Sequence, residues 1–138
     1  MHRWSTCLVY ILIFVCISLV EGCASITTQR ISTAPLASTD TLYAWFEFDR
    51  IHLAETFHTA FRDQGLQVAS SREEADLLLT GAYSATYDVV HNRFDWSQFK
   101  LVRVQTGQTL YTIQTGQGGL QSVESVVRKM VHEIKQLF

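Results

Sequence analysis

Two long period-two segments, residues 77–90 (LLLTGAYSATYDVV) and 94–105, flank the short polar stretch His91-Asn92-Arg93. This feature constrains the fold most. A period of two places alternate side chains on opposite faces of a strand, and strands joined by so short a connection pair antiparallel. In the first segment Leu77, Leu79, Tyr83, Ala85, Tyr87 and Val89 share one face. In the second the apolar phase slips by one near Ser97 and Gln98, which predicts a bulge there. A hairpin turn at Thr106-Gly107-Gln108 then leads to a further strand over 109–115.

The flanking segments supply the second layer. Residues 41–48 (TLYAWFEF) alternate, with Leu42, Ala44, Phe46 and Phe48 on one side and Tyr43, Trp45 and Glu47 on the other. Asp49 is a helix cap candidate, because its carboxylate can accept from free N–H groups of the next turn. Over 51–64 the period changes to helical, with Ala54, Phe57, Ala60 and Phe61 in an apolar stripe beside Leu53, and Gly65 ends the helix. Residues 66–69 read as a short strand, and Ser71-Arg72-Glu73-Glu74 has capping-box spacing, which predicts one helical turn. Val123, Val126, Val127, Met130, Val131, Ile134 and Leu137 recur at helical spacing in a final amphipathic helix. The expected order is β-α-β-β-β-β-α: a two-layer α/β (α+β) sandwich, with a mostly antiparallel sheet and both helices on one of its faces.

The front of the chain has a different character. His2 and Arg3 precede fourteen uncharged residues, 7–20 (CLVYILIFVCISLV), too few for a transmembrane helix and of the length of a signal-peptide core. The sequence Val20-Glu21-Gly22-Cys23 that follows resembles a bacterial lipobox. That resemblance implies cleavage before Cys23, a diacylglyceryl thioether (with palmitate-type acyl chains) on its sulfur, and, with Ala24 rather than aspartate next, sorting to the outer membrane with the domain facing the periplasm. The small residues Gly22-Cys23-Ala24 also fit ordinary cleavage and secretion of a soluble domain without lipid. Of three cysteines, Cys7 and Cys16 lie in the signal, so the processed chain keeps Cys23 alone and forms no internal disulfide. Residues 24–40 are rich in serine and threonine and hold the single proline, Pro35. They read as a flexible tether. The expected division is a lipoprotein signal peptide over 1–22, lipidated Cys23 and tether over 23–40, and a single α/β domain over 41–138.

Composition and motifs exclude more than they assign. With 47% apolar and 17% charged residues the chain is not disordered, and a net charge of -2 offers no footprint for nucleic acid. No Gly-x-Ser-x-Gly elbow is present, and the one cysteine beyond the signal is the anchor candidate. His52 and Glu55, three residues apart, are two loose ligands where zinc takes three or four. Gly116, Gly118 and Gly119 precede the last helix, but Gln121 stands where a dinucleotide loop has its third glycine. The expectation is a protein that is not an enzyme, with no cofactor and no metal. Tyr43, Trp45, Tyr87, His91, Arg93, Phe94 and Trp96 form the candidate binding surface, because aromatic residues and arginine are enriched at recognition surfaces; packing across the sheet is the competing use.

Three stretches, 61–68 (FRDQGLQV), 74–81 (EADLLLTG) and 106–111 (TGQTLY), resemble small envelope lipoproteins. Their domains are similar to the amino-terminal domain of TolB, the curli-secretion lipoprotein and the LpoB-type activators of penicillin-binding proteins. The resemblance implies an accessory or binding role in the cell envelope, with an envelope protein as partner and no catalytic residue to carry over. An assembly subunit that oligomerises through sheet edges is the alternative.

Overall fold

The computed structural model describes residues 25–116 and 121–138. The signal segment, Cys23 and the Gly118-Gly119 pair lie outside the described residues. Five strands form one sheet: β1 (Ile26–Arg30), β2 (Leu42–Ala44), β3 (Leu77–Tyr87), β4 (Asn92–Arg103) and β5 (Gln108–Thr115), in the order β1-β5-β4-β3-β2. Only β2 and β3 run parallel; the other neighbours are antiparallel. Two helices, α1 (Leu53–Asp63) and α2 (Val123–Lys135), pack on one face. The expected α+β sandwich is the observed one, with a different element order: β-β-α-β-β-β-α.

That difference has two causes. The first part of the expected tether is a strand, because Ile26–Arg30 pairs antiparallel with Arg30 opposite Tyr111 and Ile26 opposite Thr115. The rest of it is held too: Arg103 donates to the Asp40 carboxylate at 3.1 Å and to the Pro35 carbonyl at 3.0 Å, and Ala34 and Leu36 pack on the core. The domain therefore begins well before residue 41. The second cause is at 66–69, where the expected strand reduces to a single parallel bridge between Val68 and Leu42. Leu42 donates to the Gln67 carbonyl and Ala69 donates to the Leu42 carbonyl, so this segment covers the free edge of β2.

The helices form where their periodicity places them. Asp49 does cap α1, from further upstream than a standard N-cap. Its two carboxylate oxygens accept from Leu53 N–H at 2.6 Å and Ala54 N–H at 3.0 Å, while His52, with φ of 55°, swings the chain into the helix. Tyr83 on β3 donates to the same carboxylate at 2.9 Å, which ties the start of α1 to the sheet. Burial and this acceptor push the Tyr83 hydroxyl up to about 12, so it stays a donor. Gly65 ends α1 at φ of 77°, as expected of a glycine there. The Ser122 side chain caps α2 by accepting from Ser125 N–H, and Glu124 in its first turn with Lys135 in its last suit the helix dipole. Residues 72–74 make a turn instead of the expected helical turn.

The core is the helix-facing side of the sheet. Leu42, Ala44, Leu77, Leu79, Leu101 and Ile113 are fully buried against Leu53, Phe57, Val127 and Met130. The phase slip in β4 occurs two or three residues earlier than expected. Ser84 pairs with Trp96 and Ala85 with Phe94, so Asp95 is the extra residue. As a result Phe94 and Ser97 both turn inward, and the buried Ser97 and Thr115 hydroxyls satisfy one another at 2.7 Å.

His58 adds a side-chain acceptor to the β2 edge. Ala44 N–H donates to its Nε2 at 3.0 Å, and its ring lies 4.5 Å from that of Tyr43. An acceptor nitrogen is an unprotonated one. Burial first, then the Arg62 charge, hold the imidazole below its usual pKa. The unfolded chain therefore binds a proton more readily than the folded one, and stability falls as pH drops below about 6.5 towards the lowered folded value. We expect denaturant midpoints measured between pH 7 and 5 to decline, and the decline in this window to be weaker in His58→Phe. That variant also leaves Ala44 N–H without its acceptor, a uniform loss of about 1 kcal/mol. Parallel pH slopes in the two proteins would assign the titration elsewhere.

Candidate functional site

The sequence-predicted surface residues separate into four environments. Phe94 is 1% exposed and belongs to the core, packed edge-on against Tyr83 and Phe99; the bulge at Asp95 put it there, and a buried ring has no access to a ligand. Tyr43 is half-buried under His58 at the β2 edge. Beside it Trp45 is partly exposed, with the Arg72 guanidinium 4.6 Å above its ring, a cation–π contact across the loop that covers this edge. Trp96 stands on the solvent-facing side of the sheet, paired with Ser84. It lies four residues along β3 from the level of Trp45, about 13 Å. The seven residues therefore do not converge on one patch.

The outward sheet face is polar over most of its width. Thr27 and Gln29 on β1, Thr112 and Gln114 on β5, Gln98 and Lys100 on β4 and Thr80 on β3 make it up. Near Trp96 the Asp95 carboxylate accepts from Ser84 Oγ at 2.9 Å and from Thr86 Oγ1 at 2.9 Å, so its charge is already engaged. An open face of this kind is a normal solvated side of an antiparallel sheet, with Trp96 exposed on it and half-buried Tyr43, Leu78 and Val102 in one row across its other end.

Between the helices runs an open groove of about 450 Å³, lined by His52, Glu55, Thr59, Asp63, Glu124 and Arg128 among others. Gln64, just past the end of α1, links the two helices by donating to the Arg128 carbonyl at 3.0 Å. Among the described residues no three His, Cys, Asp or Glu side chains converge as a metal site, and His52 with Glu55 stays a pair on this rim.

The β3–β4 hairpin holds what the sequence reading missed. The turn falls at 88–91, earlier than the expected 91–93. Asp88 fixes it by accepting from Val90 N–H at 3.2 Å and His91 N–H at 3.1 Å, and those two N–H groups hold its carboxyl below the usual range. The His91 ring sits 3.6 Å from the same carboxylate, and Arg93 is half-buried at the base. At the tip Tyr87, Val89 and Val90 are 63%, 84% and 80% exposed, and Val89 adopts a left-handed φ of 82°. Asp88 was the available signal: an aspartate two residues before the end of an alternating run is a turn former.

No family model matches the sequence, and no curated protein matches it. Among solved structures the chain is similar to a PelC dodecamer from Paraburkholderia phytofirmans, at 16% identity and a TM-score of 0.47, over 80% of this chain and 94% of that one. It is also similar to a DUF4136 family protein from Bacteroides thetaiotaomicron, at 14% identity and a TM-score of 0.49, over 83% and 94%. A minor lipoprotein from Acinetobacter baumannii aligns at 15% identity and a TM-score of 0.41, over 75% and 92%.

Proposed function

We propose that the chain is a lipid-anchored lipoprotein of a bacterial envelope, held on the outer membrane through Cys23 and facing the periplasm, where it serves as a non-catalytic binding or accessory module. The observation that carries this reading is Val20-Glu21-Gly22-Cys23 placed directly after the fourteen-residue uncharged run. Two acyl chains on one cysteine anchor a protein stably, where a single chain binds reversibly. The polar chemistry of the domain supports a scaffold role. Asp49, Asp76, Asp88 and His58 each accept hydrogen bonds from backbone N–H groups of neighbouring segments. Trp96 on the open sheet face and Trp45 at the edge are the contacts offered to an envelope partner.

Intact mass of the protein extracted from membranes tests the reading. The expected species begins at Cys23 and carries diacylglycerol, and Cys23→Ser abolishes both processing and membrane retention. An unmodified chain beginning at Ser25 would defeat it.

A further inference from the structure

Strand directions bring several termini and loops to one end of the sheet. Strands β3 and β5 both run towards it, and β1 starts there, because Ile26 pairs with Thr115, Thr115 with Ser97, and Ser97 with Tyr83. These four residues form one row across the sheet. Beyond the row, β3 and β4 continue alone as a hairpin arm through residues 84–87, about 13 Å of strand before the turn begins. Cys23 is three residues before Ile26, a reach of about 10 Å at full stretch. The hairpin tip thus extends at least as far beyond the row as the chain can carry Cys23.

The composition of that tip is wrong for water. Tyr87, Val89 and Val90 are its most exposed side chains, and the Asp88 carboxylate is turned back onto the turn's own N–H groups and the His91 ring. A β-branched residue at φ of 82° is costly, and it is retained here with its side chain exposed. Phe48, 79% exposed, lies at the same end, in a shallow cleft beside Tyr83, Ser84 and Ala85. Aliphatic side chains with a tyrosine behind them match the gradient of a membrane interface, where aromatic rings sit at headgroup level.

We propose that the β3–β4 hairpin tip is a second membrane contact: Val89 and Val90 enter the bilayer that holds the Cys23 lipid, with Tyr87 at its surface. The inference rests on the lipid-anchor reading and deepens it. The occupant is lipid because β1 begins at the end of the sheet from which the hairpin projects, and Cys23 is only three residues before it in the sequence. The domain then stands on its hairpin with the helical and open sheet faces both upright and accessible.

The test uses the processed lipoprotein in vesicles of phosphatidylethanolamine and phosphatidylglycerol. Its own cysteine being acylated, Val90→Cys accepts a polarity-sensitive dye at the tip, and Thr106→Cys accepts it at the opposite end of the sheet. The tip dye is expected to shift to the blue and to be quenched by brominated phospholipid, and the Thr106 dye to do neither. Adding Val89→Asp to the Val90→Cys protein is expected to abolish the quenching with the unfolding midpoint unchanged, since both valines are exposed. Quenching absent at both positions in a protein that floats with the vesicles overturns the tip contact and leaves the anchor intact. Failure to float overturns the anchor and, with it, the tip contact. A blue shift without lipid quenching assigns the tip to a protein surface or a second copy, and equal quenching at both ends shows a domain lying flat; either result overturns the proposal.

Discussion

Gly81→Ala is expected to cost about 3–4 kcal/mol, a large share of the 5–15 kcal/mol by which a domain of this size is stable. Gly81 sits in the middle of β3 opposite Phe99, with φ of 146°, a conformation that L side chains rarely adopt. Backbone strain in such a region contributes about 1–3 kcal/mol. Overpacking adds a similar amount: a Cβ would overlap the Gln98 carbonyl oxygen and lie 2.9 Å from Phe99 Cα, and backbone atoms of a central strand cannot move aside. Gly65→Ala is the control. Its φ is also positive, but nothing lies within 4 Å of the added carbon, so only about 1 kcal/mol of strain is expected. Urea unfolding of the two variants measures the difference. Equal midpoints would mean that the close approach of β3 to β4 is not what selects glycine at 81.

Phe99→Ala is expected to cost about 3–5 kcal/mol, the range for deleting a fully buried ring. Phe99 is the hub of the aromatic core, with ring centroids of Phe46 at 5.1 Å, Phe57 at 5.6 Å, Phe94 at 6.2 Å and Tyr83 at 6.5 Å. These rings come from β2's extension, α1, β4 and β3, so the cavity left by alanine is walled by four separately anchored elements and collapses poorly. Trp96→Ala, three residues away on the solvent-facing side, removes a larger ring and is expected to stay within about 0.5 kcal/mol of the parent. A comparable loss at both positions would contradict the assignment of sheet faces.

Both helices were legible in the sequence because their apolar spacing and their packing partners agree. Phe57 and Phe61, or Val127 and Met130, have one place to go once a sheet is present. The strands were legible where alternation coincides with cover. Leu77 and Leu79 are buried as their phase predicts, whereas Tyr87 keeps the same phase and lies in the open at the end of the arm, and Val89 falls in the turn, where alternation no longer applies. Phe48 was misread for a related reason: regular strand ends at Ala44, and the chain turns before the alternation in the sequence stops. Strand β1 was hidden by its polarity. An edge strand with one sparsely covered face needs no apolar rhythm, although the β-branched Ile26, Thr27 and Thr28 were a usable sign. Of the candidate surface, the outward placement of Trp45 followed from alternation alone. Phe94 did not, because one inserted residue, Asp95, reverses the face of everything before it.

The pairing of β1 with β5 also sets an order of events in time. Ile26 and Thr115 are 89 positions apart, and the first strand of the chain has no partner until almost the last of the sheet has emerged. Contacts of such long separation form late, after hairpins such as β3–β4 and β4–β5 are already closed. Strand β1 therefore stays without a strand partner while the β3–β4 and β4–β5 hairpins assemble. If Cys23 is acylated as proposed, that modification would fall before β1 docks, and closing the β1 edge would be the last step of assembly.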